Sequence, residues 1–208
     1  MPYYNRFVTQ LIALPETGDR IVEQERGEDT FILANTENII TGLAHSGYYT
    51  IGSAGASWFA KKSLRVGFKD FYYKNHAKAS DQIELVVNSI IKKSRGKKIF
   101  AFINFMETHT PYMHYGEVAY RMTARRKMIW PPRFDPEDSE YGQMLHQAQI
   151  QAAEYLDSCL PKLLEALPKN TIVVLFGDHG EAFGEDGYWG HGVYHQKVLE
   201  VPMSIFTL

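Results

Sequence analysis

The sequence predicts an α/β fold, a mainly parallel sheet with helices on both faces. Three observations carry that expectation. Strand-length apolar runs alternate with amphipathic helical segments, and the loops between them are short. The 208 residues are 45% hydrophobic, enough for one domain spanning 1–208 with a substantial core. The chemically loaded stretches, "METHTPY" and "FGDHGEAFGEDGYWGHG", each follow an apolar strand, where parallel sheets carry their chemistry.

The elements follow in order. "TFILANTENIITGLAH" sets Ile32, Leu33, Thr36, Ile39, Ile40 and Leu43 at helical spacing, with Gly47 to end the helix. "YYTIGS" reads as a strand. "DQIELVVNSIIKKSRG" is a second helix, with Asp81 and Glu84 as a capping box and Ile83, Val86, Val87, Ile90 and Ile91 on one face. Gly96 stops it, and "KIFAFINF" is a strand buried on both sides. A third helix spans 141–167, with Leu145, Ala148, Ala152, Leu156, Cys159 and Leu163 inward and a kink or break at Pro161. "TIVVLF" is a buried strand and "VPMSIF" the last one. Residues 113–140, polar and Pro- and Arg-containing, form a surface insertion.

Composition removes several classes of function. There are 22 Lys and Arg against 24 Asp and Glu, a formal net charge of −2, so no nucleic-acid partner is expected. One cysteine, Cys159, excludes an internal disulfide and a cysteine-cluster metal site. No apolar stretch approaches a membrane span, and "MPYYNRFVTQ" lacks a signal-peptide layout.

Asp178 and His179 stand side by side after "TIVVLF". A carboxylate oxygen and a neutral imidazole nitrogen suit Zn²⁺ or Mn²⁺, and Gly177 and Gly180 give the backbone freedom to turn both inward. An Asp–His hydrogen-bonded turn explains the pair equally well. His191 lies between two glycines, and His109 sits in "THTPY", where Pro111 biases Thr110 to an extended shape. Each histidine alone reads as structural; loops of two strands at one sheet edge would bring them together. Glu181 and Glu185 read as a solvated loop face, and Lys197 as a surface lysine.

The segment "NTIVVLFGDHGEAFGEDGYWGHGVYHQKVLEVPMSIF" resembles the signature of the sulfatase-like branch of the alkaline-phosphatase superfamily. Upstream, "FAFINFMETHTPY", "AAEYLDSCLPKLLEALPKNT" and "GLAHSGYYTIGSAGASWFAKKSLRVGFKDFYY" resemble further family segments, in the family's order, over roughly residues 30–207. The resemblance implies a partial alkaline-phosphatase-like fold and a divalent metal (Zn, Mn, Ca or Mg) held by Asp178 and His179. It implies that His109 and His191 hold the phosphoryl or sulfuryl oxygens of a small anionic ester, or help bind a second metal. The nucleophile in such enzymes is a Ser, Thr or modified Cys.

Two departures qualify what is implied. Family members start with an acidic strand, and the nucleophile follows two residues before a proline. That proline corresponds to Pro2, which places the nucleophile before Met1, and Thr9, about two helical turns further on, does not replace it. The chain therefore reads as truncated at its N-terminus and catalytically incomplete. "GSAGASWF" also lacks the Lys and His that grip sulfate, which leans toward phosphoester relatives such as lipoteichoic-acid synthases and phosphoethanolamine transferases. The expected function is a metal-dependent hydrolase or transferase of phosphate or sulfate esters; the alternative is a non-catalytic binding or assembly module that keeps the fold. A sheet without its first strand exposes an edge or apolar face that a homodimer or a missing partner segment would cover, and self-association is expected.

Overall fold

The computed structural model describes residues 38–93, 96–110, 112 and 139–208. They fall into two compact units, the first ending at Met106 and the second beginning at Glu107. Ile32, Leu33, Thr36, the stretch containing Pro2 and Thr9, and Pro111 lie outside the described residues. So does the expected insertion up to 138, while Ser139 and Glu140 already belong to a helix.

The first unit is built on three parallel strands, β1 (Tyr49–Ala54), β2 (Asp70–Tyr73) and β3 (Ile99–Asn104), in the order β2-β1-β3. The central strand β1 is buried along its whole length. β3 was expected to be buried on both sides, but it is half-buried, with Ala101 exposed. Among the described residues its one ladder partner is β1, which makes it the edge of the described three-strand sheet. Before β1 comes helix α1 (Ile39–His45), started by a capping box in which Asn38 Oδ1 accepts from the Thr41 N–H at 2.9 Å and Thr41 Oγ1 accepts from the Asn38 N–H at 3.0 Å. None of its residues is buried, and Ile39 is exposed rather than inward.

Helix α2 (Ala79–Lys93) covers one face of this sheet. It begins two residues before Asp81, whose N–H bonds to the Lys78 carbonyl, so the Asp81–Glu84 cap does not form. Asp81 instead lies in the first turn, where the helix dipole favours an acid. Ile83, Val86, Val87 and Ile90 are buried as the periodicity predicts, while Ile91, about 100° further round, is exposed. Two polar residues complete the contact. Ser53 Oγ donates to Gln82 Oε1 at 2.8 Å, and Tyr72 Oη and Ser89 Oγ share a 2.5 Å bond. Strand residues alternate between faces, so Thr50 and Gly52 lie on the other face, where Thr50 Oγ1 donates to the Gly67 carbonyl and Gly52 abuts Phe68 and Phe71, which pack with Phe59, Phe100 and Phe102.

In the second unit helix α3 (Ser139–Ala166) continues past Pro161 as one helical span, so the expected split does not occur. Leu145, Ala148 and Ala152 are buried, and Leu156, Cys159 and Leu163 are half-buried. Leu145 and Ala148 join Tyr112 and Trp189 in a core against which Met144 and Phe183 pack. β4 (Ile172–Phe176) pairs antiparallel with β7 (Met203–Thr207), in a ladder separate from β1–β3. The apolar run in β4 is not buried: Ile172, Val174 and Phe176 are exposed, as are Met203 and Ile205 opposite Phe176 and Val174. Two more pieces complete the unit, a hairpin of β5 (Ala182–Phe183) with β6 (Trp189–Gly190), and a single helical turn, α4 (Gln196–Leu199).

Candidate metal centre

The site lies wholly in residues 107–208 and has three sources. Two strand-following loops bring His109 and His179, and the hairpin brings His191. Thr108, beside His109, is pinned by α3 through Gln149 Nε2, which donates to its carbonyl at 3.2 Å. The Tyr112 N–H closes a turn onto the His109 carbonyl at 3.0 Å, and the Tyr112 ring is anchored in the core with Trp189. The Asp178–Glu181 loop passes so close to α4 that a Cβ on Gly180 would stand 2.0 Å from the Lys197 carbonyl oxygen. Close backbone approach, not unusual torsion, is therefore what requires glycine there. Around His191 torsion decides, since Gly190 and Gly192 have φ of 76° and 83°.

The hairpin register sets the rest. Ala182 pairs with Gly190 and Phe183 with Trp189, so Glu181 and His191 fall opposite each other one step beyond the ladder. Glu181 Oε2 lies 2.7 Å from His191 Nδ1, and its other oxygen, Oε1, accepts from Thr110 Oγ1 at 3.2 Å. The Glu181 side chain is only 7% exposed, so the expected solvated loop face is corrected here: the hairpin folds this carboxylate inward.

His109, His179 and His191 converge. Their ring centroids are 6.2 Å (109–179), 5.0 Å (109–191) and 4.2 Å (179–191) apart. One ligand atom from each lies within 4.8 Å of the others. In every ring Nδ1 faces an acceptor: the Thr110 carbonyl at 2.5 Å for His109, the Gly180 carbonyl at 3.0 Å for His179, and the Glu181 carboxylate for His191. A carbonyl or carboxylate can only accept, so each Nδ1 carries the proton and each neutral ring keeps its Nε2 lone pair free. Three uncommitted nitrogen lone pairs in one half-buried place suit a borderline-soft divalent cation.

The electrostatics differ from ring to ring. Burial pushes His109 below its usual value, and the neighbouring His191 pushes the same way, which keeps that ring neutral. The hydrogen bond to Glu181 raises His191 against its own burial. Asp178 sits at the rim, its side chain 76% exposed. Its Oδ1 accepts from the His179 N–H at 3.1 Å and lies 3.9 Å from His179 Nε2. The three histidines singled out in the sequence are thus brought together, Asp178 borders them, and Glu181 and Thr110 were missed. The missed signal was "EAFGEDGYWGH", two short segments around a Gly-flanked turn, which is a hairpin pattern.

The sulfatase family model matches residues 15–205. Among solved structures the chain is similar to the C-terminal periplasmic domain of EcEptC from Escherichia coli, at 16% identity and TM-score 0.58, covering 99% of this chain and 58% of that one. It is similar to the C-terminal periplasmic domain of the phosphoethanolamine transferase EptC from Campylobacter jejuni, at 17% identity and TM-score 0.59, covering 82% and 56%. A third similar structure is the lipoteichoic acid synthase LtaP from Listeria monocytogenes, at 14% identity and TM-score 0.53, covering 80% and 45%. The chain spans about half the length of these structures. No curated protein matches it. Among the described residues no helix is long and apolar enough to cross a membrane. The family match over most of the chain, with the alkaline-phosphatase-like α/β fold shared by these structures, identifies this protein as a member of the sulfatase family, whose enzymes act on phosphate or sulfate esters.

Proposed function

We propose that this chain holds a divalent metal through His109, His179 and His191 and presents it to the oxyanion of a phosphate ester, in preference to a sulfate ester. The observation that carries this reading is the convergence of three rings, one ligand atom of each within 4.8 Å of the others, with every Nδ1 committed to an acceptor and Nε2 left as the nitrogen able to ligate. Of Zn²⁺, Mn²⁺, Ca²⁺ and Mg²⁺, the nitrogen donors favour Zn²⁺, because Ca²⁺ and Mg²⁺ take oxygen ligands. Asp178 is the carboxylate placed to join from the rim. A bound metal supplies Lewis acidity and neutralises charge on the transferred group. The preference for phosphate rests on "GSAGASWF", which lacks a sulfate-gripping Lys and His.

One observation favours a second division of labour, with Asp178 and His179 on the metal and His109 and His191 on ester oxygens. Glu181 favours the charged form of His191, and an imidazolium binds anions. The Thr110 hydroxyl is engaged in bracing Glu181, and no nucleophile is assigned among the described residues. The chain alone is therefore expected to bind Zn²⁺ and an ester with little turnover.

The test is calorimetric titration of Zn²⁺ into wild type, His109→Ala, His179→Ala and Asp178→Ala, with p-nitrophenyl phosphate and sulfate as turnover probes. Strong loss in both histidine variants supports the three-histidine site. Loss in His179→Ala and Asp178→Ala with His109→Ala unchanged supports the second division. Absence of Zn²⁺ binding by the wild type sinks both, and brisk turnover sinks the catalytically incomplete reading.

A further inference from the structure

The three rings are not held in the same way. His109 and His179 are each oriented by the carbonyl of the very next residue, so short local bonds set their tautomers. His191 is oriented from a distance, by a carboxylate ten residues away in sequence. That carboxylate is nearly buried, and both of its oxygens are engaged: Oε2 with His191 Nδ1 and Oε1 with the Thr110 hydroxyl. Thr110 therefore touches two arms of the centre. Its carbonyl takes the His109 proton, and its hydroxyl steadies the acid that takes the His191 proton.

We propose that Glu181, braced by Thr110, is the positioning residue of the centre: it fixes His191 as the Nδ1–H tautomer, so that Nε2 completes the three-nitrogen set. The proposal rests on the three-histidine reading for its effect on metal, but not for its effect on the imidazole. The physical reason is asymmetric. Without an acceptor at Nδ1, a neutral imidazole is free to carry its proton on Nε2, where it blocks ligation. A buried carboxylate also makes the ring it holds a better donor to a metal, and removing such partners commonly lowers metal affinity about 10–100-fold. Thr110 matters because a lone carboxylate has other rotamers; the bond to its second oxygen keeps Oε2 on the ring.

The test uses the full chain in Glu181→Ala, Glu181→Gln, Thr110→Val and Thr110→Ser forms. Two readouts are needed. The first is the ¹⁵N spectrum of His191 in metal-free protein, assigned with His191→Gln, which reports the tautomer whether or not metal ever binds. The second is Zn²⁺ affinity by chelator competition. Glu181→Ala is expected to shift His191 toward the Nε2–H tautomer and to weaken Zn²⁺ about 10–100-fold. Glu181→Gln keeps an oxygen acceptor and is expected to retain the Nδ1–H tautomer with a smaller loss. Thr110→Val is expected to follow Glu181→Ala in part, with Thr110→Ser restored. Circular dichroism checks that each variant folds, and the glutamine variant carries the test if the alanine variant does not. Persistence of the Nδ1–H tautomer in folded Glu181→Ala overturns the proposal, and so does Zn²⁺ loss without a tautomer change. A wild type that binds no Zn²⁺ overturns the metal reading, while the tautomer readout still decides the role of Glu181.

Discussion

His179 and His191 stack with centroids 4.2 Å apart, so each is within reach of anything the other holds. On the proposed metal reading, replacing His179 with Ala removes a donor, and Zn²⁺ affinity should fall by more than the roughly 100-fold that loss of a supporting partner costs; calorimetry reads it. A second residue-scale prediction concerns Tyr49, whose hydroxyl donates to Asp70 Oδ2 at 2.6 Å. Burial first, and then this bond, push its pKa up to about 12 from 10.0. The stability from this pair is therefore whole below pH 10 and is lost as pH rises from 10 toward 12, because only the unfolded chain ionises there. Urea unfolding across that range should show the decline, and Tyr49→Phe should flatten it. At this scale the sequence disclosed His179 and His191 through their glycine neighbours, and His109 through its place in the loop after a strand. It hid Glu181, because the direction of that side chain depends on which residue it meets across a turn.

Helices and strands were legible from period and punctuation. The inner stripe of α3, the buried side of α2 and the strand character of β1, β3, β4 and β7 all follow from spacing. Burial of particular strands did not follow, because an apolar run does not say how many neighbours its strand has: β1 has two, while β3 and β4 each have one among the described residues. The cap expected at Asp81 failed for a related reason, since the Lys78 carbonyl accepts the Asp81 N–H and starts the helix earlier. The turn at Gly180 gives the element-scale prediction. Gly180→Ala would set its methyl against the Lys197 carbonyl, a backbone atom with little room to yield. The loop must shift, at a cost of about 1–3 kcal/mol for overpacking. Thermal melts should show the loss, and Zn²⁺ binding should weaken because the same loop carries His179.

For the molecule as a whole, the β4–β7 ladder presents Ile172, Val174, Phe176, Met203 and Ile205 on one exposed face. A contiguous apolar face of that kind favours self-association, and a second copy offers a matching surface by two-fold symmetry. Light scattering should find concentration-dependent growth in mass, reduced by Val174→Lys or Ile205→Lys; a monomer at every concentration would remove the expectation. The distribution of the site has a further effect. Its rings come from positions 109, 179 and 191, stretches that the unfolded chain keeps far apart. An ion seated among them becomes a clasp across the second unit, gripping the folded arrangement and finding no equivalent in the loose one. Melting temperature should then climb with free zinc, and heating should release the ion as the hairpin frays, so that the centre reports on the integrity of the scaffold that assembles it.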